Sequence, residues 1–509
     1  MQNLLEKLDY LAGIETDAFA VRWLRRTAFI FLTLMVVSAP HSIAATQISW
    51  GVGTLAWAAT FFFRPRTPFK FRPLNIALFA LFVWSFISGV FSYEPATSLD
   101  RLRGVSVFLI FIFAAANIRR LGAAYFLAFA LIVSCMVNVV WTPVQRLLGR
   151  GVEIHGLKTE SPLAKALLWE GDTLLAANGK KLTSPEDVVT AIAANEITKV
   201  KFYRPDFEFA VDVKRSDLLA GSTALEQLGI ERWSLSNNWR SMGFYNHYVT
   251  YAEMLQLVAS LIFGLLVAAI GSFTRISKWK LSMLGAAFFG TCVALLLTVT
   301  RASQLALMIS GFLIVLRGAS RKFAFAAAVI AIPVVIGGLF FLQQSRQTGF
   351  FDSKDESTRY RFVMWKDGGR LLTTSPRNLV FGIGMDSIQK HWQEWGMFEG
   401  GFLPLGHFHS TPVQIAVERG IPALLIWIVV LAILARTLWR GITVARDGDW
   451  RSFGILLGTF GALTGFVSSG FVHWNLGDQE VAMVFYILMA FGVRTAELTA
   501  AEHTDLRTM

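Results

Sequence analysis

About twelve long apolar stretches, separated by shorter polar segments, constrain this chain more than any other feature. Each is close to the roughly 20 residues that a helix needs to cross a bilayer, where a bare backbone finds no hydrogen-bond partner. Charged residues make up only 16% of the chain, against about 25% in soluble domains. The pattern predicts an all-α polytopic membrane bundle with about twelve transmembrane helices. The predicted stretches are 27–45, 46–63, 74–92, 103–118, 121–142, 249–270, 281–299, 302–317, 322–342, 421–438, 452–471 and 480–494.

The net charge of +12 raises the question of a nucleic-acid partner. The distribution of the charge gives a different explanation. Basic residues cluster before the first stretch and in every even-numbered connection, for example at Arg119, Arg120, Arg436 and Arg440. Short basic connections stay on the cytoplasmic side of a membrane. We therefore expect both termini in the cytoplasm, contact with membrane lipid, and no nucleic-acid partner.

Two odd-numbered connections, at about 143–248 and 343–420, are much longer than the others and lie outside the cytoplasm by this topology. Loops that a rigid scaffold positions often carry function. The predicted organisation is helices one to five at 1–149, a small inserted domain at 150–217, helices six to nine at 218–342, an outer loop at 343–420, and helices ten to twelve with a cytoplasmic tail at 421–509.

The first long connection contains its own folding signals. Ser161-Pro162 and Ser184-Pro185 each place an N-cap serine before a proline at the first helical position. Asn178-Gly179 is a strong signal for a hairpin turn. Apolar residues alternate from Phe207 to Val213, which is typical of a half-buried strand. The segment is therefore predicted to fold as a small α+β domain, with strands at 172–177, 199–203 and 207–214.

This inserted segment resembles a PDZ domain of the bacterial protease-associated type over about 150–217. The similarity lies in Ser161–Ala166, Glu170-Gly171-Asp172, Asn178-Gly179-Lys180 and Ser184–Asp187. Such domains bind a chain terminus by strand addition to a sheet edge. The segment Gly151–Gly156 departs from their carboxylate-binding glycine loop. A peptide or protein partner and a purely structural or docking role therefore stay open.

The second long connection contains His407-Phe408-His409-Ser410 just before the tenth apolar stretch. Histidine is the side chain best suited to proton transfer near neutral pH. From composition alone, two interpretations stay open. The histidines either anchor the loop at the membrane interface or act in catalysis.

The residues around His409 resemble the signature of the O-antigen ligase family. His409-Ser410 is followed by nine residues and Gly420, and the family pattern continues with a second glycine where this chain has Ala423. The segment Pro376–Gly384 is also similar to a Gly-x-Gly segment upstream of the family histidine. The resemblance covers 236–494 better than 70–145. It implies a GT-C-like membrane glycosyltransferase in the bacterial inner membrane.

The resemblance also implies a substrate and a set of site residues. The family moves a glycan from undecaprenyl diphosphate to an acceptor hydroxyl, here lipid A-core, on the periplasmic face. Arginine is the preferred bidentate partner of phosphate, and Arg240 and Arg301 match arginine motifs of the family. His409 is expected to act as the general base. No metal and no cofactor are expected, because arginines can stabilise the leaving diphosphate.

Three further residues are predicted to support this site, namely His407, Ser410 and Glu418. For Glu418, two roles stay open: orienting His409 or capping a helix. Polysaccharide polymerases and protein O-oligosaccharyltransferases of the same superfamily share these motifs, and both stay open as alternatives. A transporter for lipid-linked sugar is a more distant alternative. Such a transporter is expected to have inverted repeats and more charged residues inside its helices than this sequence has.

Overall fold

The computed structural model describes residues 2–14, 18–63, 71–204, 207–271, 276–320, 356–403 and 406–508. The chain forms two compact units. The first unit contains Met1–Asn138, Phe244–Leu296 and Thr300–Met509, and the second contains Val139–Gly243 and Leu297–Val299. The predicted helix at 322–342 lies outside the described residues.

The described helices are numbered here in chain order. The first eleven are α1 Gln2–Ala12, α2 Phe19–Ser38, α3 Ile43–Ala59, α4 Pro73–Val90, α5 Pro95–Asp100, α6 Leu102–Val105, α7 Leu109–Asn117, α8 Leu121–Leu148, α9 Pro162–Lys165, α10 Pro185–Ala193 and α11 Ala224–Leu228. The others are α12 Tyr248–Gly271, α13 Lys278–Leu297, α14 Arg301–Gly318, α15 Glu356–Thr373, α16 Pro376–Phe381, α17 Ile388–His391, α18 Phe398–Gly401, α19 Thr411–Ala445, α20 Trp450–Gly470 and α21 Gln479–Thr508.

Within the described ranges, eight helices are long and apolar enough to cross a membrane: α4, α8, α12, α13, α14, α19, α20 and α21. They coincide with eight of the predicted stretches, so a multi-pass membrane protein is confirmed, whereas the count of twelve is not. The first two predicted stretches overlap the helices α2 and α3. The helix predicted at 103–118 is broken into α6, a 3₁₀ turn at Ser106–Phe108, and α7. Ser106 contributes to the break because its hydroxyl donates to the Arg103 carbonyl at 2.8 Å and competes with helical bonding.

In the first unit, α12 packs against α20 through small residues. A Cβ at Gly458 would lie 2.6 Å from Cα of Leu261, and one at Gly454 would lie 2.7 Å from Cα of Leu265. Such close backbone approach is how membrane helices gain packing energy where lipid removes the hydrophobic driving force. α14 lies against the same pair, with the Ser310 and Ser260 hydroxyls 2.7 Å apart.

The second unit contains an antiparallel sheet of six strands in the order β5-β4-β2-β1-β6, with β3 paired to β2. A core of aliphatic side chains and Phe202 fills the space between the sheet and its helices. The strands are β1 Arg150–Leu157, β2 Thr173–Ala177, β3 Lys180–Lys181, β4 Ile197–Arg204, β5 Phe207–Lys214 and β6 Ile230–Ser236.

Several local predictions for this unit are confirmed. The Ser161 hydroxyl accepts from the Leu163 N–H at 3.0 Å at the start of α9. Ser184 and Asp187 form a capping box at the start of α10. Asn178-Gly179 connects β2 to β3 with positive φ at both residues. The sheet also includes β6, which lies beyond the predicted range of 150–217. The resemblance to a PDZ domain and its peptide partner stay predictions.

Candidate functional site

One end of the first unit gathers the start of α19, the start of α12 and the connection between α20 and α21. The Thr411 N–H and hydroxyl both donate to the His473 carbonyl at 3.0 Å. The Thr250 hydroxyl donates to the Asp478 carboxylate at 2.6 Å. These bonds place the predicted histidine motif at this end, beside a short connection that the sequence motifs do not include.

The residues 406–410, called here the histidine loop, are fixed by their central phenylalanine. Phe408 is fully buried. Its N–H donates to the Gln414 Oε1 at 2.7 Å, and its carbonyl accepts from the Trp365 Nε1 at 3.0 Å. Because Phe408 is held on both sides of its backbone, the flanking His407 and His409 have a defined position.

The two histidines form a contacting pair. The His409 N–H donates to the His407 Nδ1 at 3.2 Å, and the ring centroids are 4.0 Å apart. Since the Nδ1 accepts this bond, the neutral His407 ring carries its hydrogen on Nε2. His409 has a φ of 47°, a left-handed conformation that costs free energy in a residue other than glycine. Such strain is often found at functional sites.

The surroundings of the pair favour neutral imidazoles. Burial lowers the pKa of His409 to about 3, with further contributions from His407, Arg361 and His247. Burial also lowers the pKa of His407 and brings the pKa of His473 well below its ordinary value. The His409 imidazole is therefore unprotonated at neutral pH and able to accept a proton.

A break in α19 lies ten residues beyond the histidine loop, at Gly420, where φ is 80°. A Cβ at Gly420 would overlap the Val380 carbonyl. Pro422 has no N–H to offer the Glu418 carbonyl, four residues earlier. The Glu418 carbonyl accepts instead from the Gly384 N–H at 2.9 Å.

The two neighbouring carbonyls of α19 are satisfied in the same way. The Val417 carbonyl accepts from the Ile383 N–H at 2.9 Å, and the Arg419 carbonyl accepts from the Trp84 Nε1 at 2.9 Å. The Gly-x-Gly segment and Gly420 are therefore two sides of one close backbone contact. This contact sets the direction in which α19 leaves the histidine loop.

Glu418 is connected to the histidine loop through Gln414. It is 2% exposed, and its Oε1 accepts from the Asp386 N–H at 3.0 Å and from the Gln414 Nε2 at 2.9 Å. Gln414 in turn holds the backbone of Phe408. Neither of the bonds to the Glu418 carboxylate is a capping bond from a backbone N–H of α19. Its contacts fit an indirect role in positioning the loop.

The other predicted site residues have different positions. Ser410 is the N-cap of α19 and is 2% exposed, but its hydroxyl makes no capping bond. Arg301 is the first residue of α14. Because α14 runs parallel to α12 and antiparallel to α20, with Ser310 beside Ser260 and near Gly461, Arg301 lies at the same end of the first unit as the histidine loop.

Arg240 belongs to the second unit, in the segment that follows β6. The next residue, Ser241, donates its N–H to the Leu297 carbonyl at 3.0 Å within that unit. The role of Arg240 stays a prediction.

Sequence reasoning did not assign Arg361, His473 or Arg419 to the site. Arg361 donates to the Val472 carbonyl at 3.2 Å and influences the pKa of His409. A histidine or an arginine beside a membrane helix is a signal that could have indicated the last two. Within the described ranges, no group of three His, Cys, Asp or Glu residues is arranged to hold a metal ion.

Residues 286–428 match the family model described as O-antigen ligase. This part of the chain is similar to the O-antigen ligase family. The match confirms the resemblance seen in the sequence, and it supports a membrane glycosyltransferase-like role. The matched range includes Arg301 and the whole histidine loop, whereas Arg240 and the sheet lie outside it. No curated protein matches the chain.

Proposed function

We propose that this protein is a glycosyltransferase that moves a glycan from undecaprenyl diphosphate to an acceptor hydroxyl, with lipid A-core as the acceptor, on the periplasmic face of the inner membrane. The observation that carries the proposal is the pair His407 and His409, with neutral rings held at the end of a membrane helix inside the range that matches the O-antigen ligase family. A neutral imidazole at the edge of the bilayer suits a reaction between two membrane-anchored substrates.

His409 acts as the general base in the proposed reaction. Its imidazole accepts the proton of the acceptor hydroxyl while that oxygen attacks the anomeric carbon. The bond between the anomeric carbon and the diphosphate oxygen breaks, and the diphosphate leaves with the bonding electrons. This single displacement inverts the anomeric centre. An anionic substrate next to His409 would raise the low pKa of the ring and strengthen it as a base.

Arg301 and Arg240 stabilise the charge that develops on the leaving diphosphate. Guanidinium groups bind phosphate oxygens in a bidentate manner, and preorganised charge of this kind is usually the largest contribution to catalysis. Arg301 is supported by its place at the end of α14 on the side of the histidine loop. The chemistry needs no metal ion when two arginines supply the positive charge.

The proposal is tested by transfer from lipid-linked glycan to lipid A-core in proteoliposomes that contain the purified chain. We expect His409→Ala to lower the rate by at least about 100-fold, since a general base contributes about 10²–10⁴. The control is His391→Ala, because His391 lies in the same outer loop but bonds Glu94 and Glu394. Added chelator is expected to leave transfer unchanged. Transfer at a normal rate by His409→Ala would disprove the role of general base.

The product distinguishes the proposed ligase from its alternatives. Lipid A-core carrying the whole glycan supports ligation. Lengthening of the glycan on its lipid carrier would indicate a polymerase, and attachment to a protein hydroxyl would indicate a protein O-oligosaccharyltransferase. Movement of the lipid-linked glycan across the bilayer without any new bond would indicate a transporter.

A further inference from the structure

A cavity of about 140 Å³ lies beside the break in α19 in the first unit. One water molecule needs about 10 to 15 Å³, so the cavity has room for a phosphate group. Its apolar wall contains Leu78 and Leu81 of α4, Phe108, and Ala482 of α21. Its polar wall contains three arginines, at 101, 103 and 419, and the carboxylates of Asp386 and Glu418. A ligand with both a charged and an apolar part matches these two walls.

Arg419 is the buried charge in this lining. It is 7% exposed, its nearest carboxylate contact is Glu418 at 4.0 Å, and its Nε is buried with no hydrogen-bond partner among the described residues. The Glu418 carboxylate already accepts from the Asp386 N–H and from Gln414. A buried guanidinium with an unused N–H is costly, and an anionic ligand in the cavity would satisfy it.

The other two arginines of the lining are exposed and already paired. Arg101 forms an ion pair with Asp386, and Arg103 forms one with Asp100 at 2.8 Å. Both arginines line the cavity and have exposed side chains. Because the lining has three arginines and two carboxylates, it keeps a positive formal charge that favours an anion.

We propose that this cavity binds the phosphate group of a lipid, with Arg419 as its principal ligand. The guanidinium Nε and Nη groups fit two phosphate oxygens. The lipid chain would lie along Leu78, Leu81 and Phe108, between the candidate membrane spans α4 and α21. Free phosphate has no apolar part that could contact this wall. Glu418 lines the cavity and bonds Gln414, which also holds the Phe408 backbone, so the phosphate site is connected to the histidine loop. The inference goes beyond glycosyl transfer and does not require it.

The test measures the unfolding midpoint of the full chain in non-ionic detergent with four ligands. They are dioctanoyl phosphatidic acid, farnesyl diphosphate, dioctanoylglycerol and inorganic phosphate. A ligand that binds only the folded state raises the midpoint according to its concentration and affinity. We expect a saturable rise with at least one of the two lipid phosphates, and the one that binds more tightly indicates the kind of lipid. Little change is expected with dioctanoylglycerol or inorganic phosphate.

Variants identify the residue that binds the phosphate. Arg419→Gln should raise the lipid concentration needed for half of the shift by about tenfold or more, since charge-assisted bonds to phosphate are among the strongest. Arg419→Lys should need a lipid concentration between those of the wild-type chain and Arg419→Gln. Lysine keeps the positive charge but lacks the bidentate N–H groups of the guanidinium. Arg359→Gln is the control, as Arg359 is exposed and paired with Glu399.

Three results would overturn the proposal. The first is an unchanged lipid response in Arg419→Gln and Arg419→Lys. The second is an equal response of the wild-type chain to dioctanoylglycerol, which lacks the phosphate. The third is an equal response to inorganic phosphate, which would show an ion site without a lipid. If Arg419→Gln does not fold, the Arg419→Lys variant and the comparison of ligands still decide the question.

Discussion

Two pairs of arginine and carboxylate, one in each unit, differ in how completely their charged groups are paired. In the second unit, Asp172 is 1% exposed and accepts from the Arg204 Nε at 2.8 Å and from its Nη2 at 2.7 Å. The same guanidinium stacks 3.8 Å above the Trp169 ring. In the first unit, Glu418 and Arg419 are neighbours in sequence, but their charged groups are 4.0 Å apart. In the first pair, the guanidinium and the carboxylate are hydrogen-bonded to each other by two bonds. In the second pair, the Arg419 Nε has no hydrogen-bond partner among the described residues and can bind a ligand.

The difference concerns how the surrounding structure holds each buried charge. A buried charge that is fully paired holds a structure together, and a buried charge that is incompletely paired persists only where the surrounding structure enforces it. In the first unit, residues distant in the sequence hold the incompletely paired charge in place. Trp84 donates to the Arg419 carbonyl, Gly384 donates to the Glu418 carbonyl, and the Asp386 N–H donates to the Glu418 carboxylate. Incomplete pairing of this kind is the property on which the proposed lipid-phosphate site at Arg419 rests.

The largest expected effect comes from comparing alanine substitutions at Gly420 and Gly179, which both have positive φ. A Cβ at Gly420 would overlap the Val380 carbonyl, whereas a Cβ at Gly179 would meet no atom within 4 Å. We expect Gly420→Ala to destabilise the first unit by more than about 4 kcal/mol, the range of severe substitutions, and to abolish transfer. Gly179→Ala should cost only the backbone strain of about 1–2 kcal/mol and leave transfer intact.

Thermal unfolding and transfer rates of both variants in the full chain check this expectation. Equal, small losses in the two variants would mean that the contact between Gly420 and Val380 yields easily. The histidine region would then be no more tightly constrained than an open hairpin turn.

A smaller effect is expected in the pH dependence of transfer. The neutral form of His409 is the active base, and burial lowers its pKa from 6.5 to about 3. If the pKa of His409 were the ordinary 6.5, the base would become protonated below pH 6.5. The value of kcat/KM would then fall about tenfold for each further pH unit. Because the lowered pKa keeps His409 neutral, kcat/KM should stay nearly constant from about pH 7 to about pH 5.

Transfer rates at low substrate concentration measure this profile, since kcat/KM reports the groups of the free enzyme. His391 provides a contrast in the same loop, because its hydrogen bond with Glu394 raises its pKa. The variant His391→Ala should give the same flat profile. An acidic limb centred near pH 6.5 would show that His409 is not shielded from protons in the way its burial implies.

Local signals predicted the parts of this structure that depend on neighbouring residues. The apolar stretches predicted the eight candidate spans, Ser161 and Ser184 predicted two helix starts, and Asn178-Gly179 predicted a turn. Each of these outcomes depends on residues within about one helical turn or one bilayer span.

The histidine region was predicted less completely because its geometry depends on distant partners. The sequence places the start of the tenth helix at 421, but α19 begins at Thr411. The polar pair Glu418 and Arg419 made this first part look like a loop. Trp84 and Gly384, whose N–H groups donate to the carbonyls at the break in the helix, are far away in the sequence. No local pattern reveals such contacts, and the cavity around Arg419 depends on them too.

The smallest expected effect compares two N-cap serines. The Ser184 hydroxyl accepts from the Asp187 N–H within a capping box, whereas the Ser410 hydroxyl makes no capping bond. Ser184→Ala should therefore weaken α10 by about 1 kcal/mol. Ser410→Ala should weaken the start of α19 by much less, because Thr411 already anchors that end to the His473 carbonyl.

Hydrogen exchange of peptides from each helix, measured in the full chain, gives the local stability of both variants. A loss of transfer in Ser410→Ala with unchanged exchange would indicate that the hydroxyl contacts substrate, as expected for a group beside His409. Equal losses of protection in the two variants would contradict the comparison. In that case Ser410 would belong to the folding of α19, and the polar groups that the histidine region reserves for substrate would be His407, His409 and the arginines.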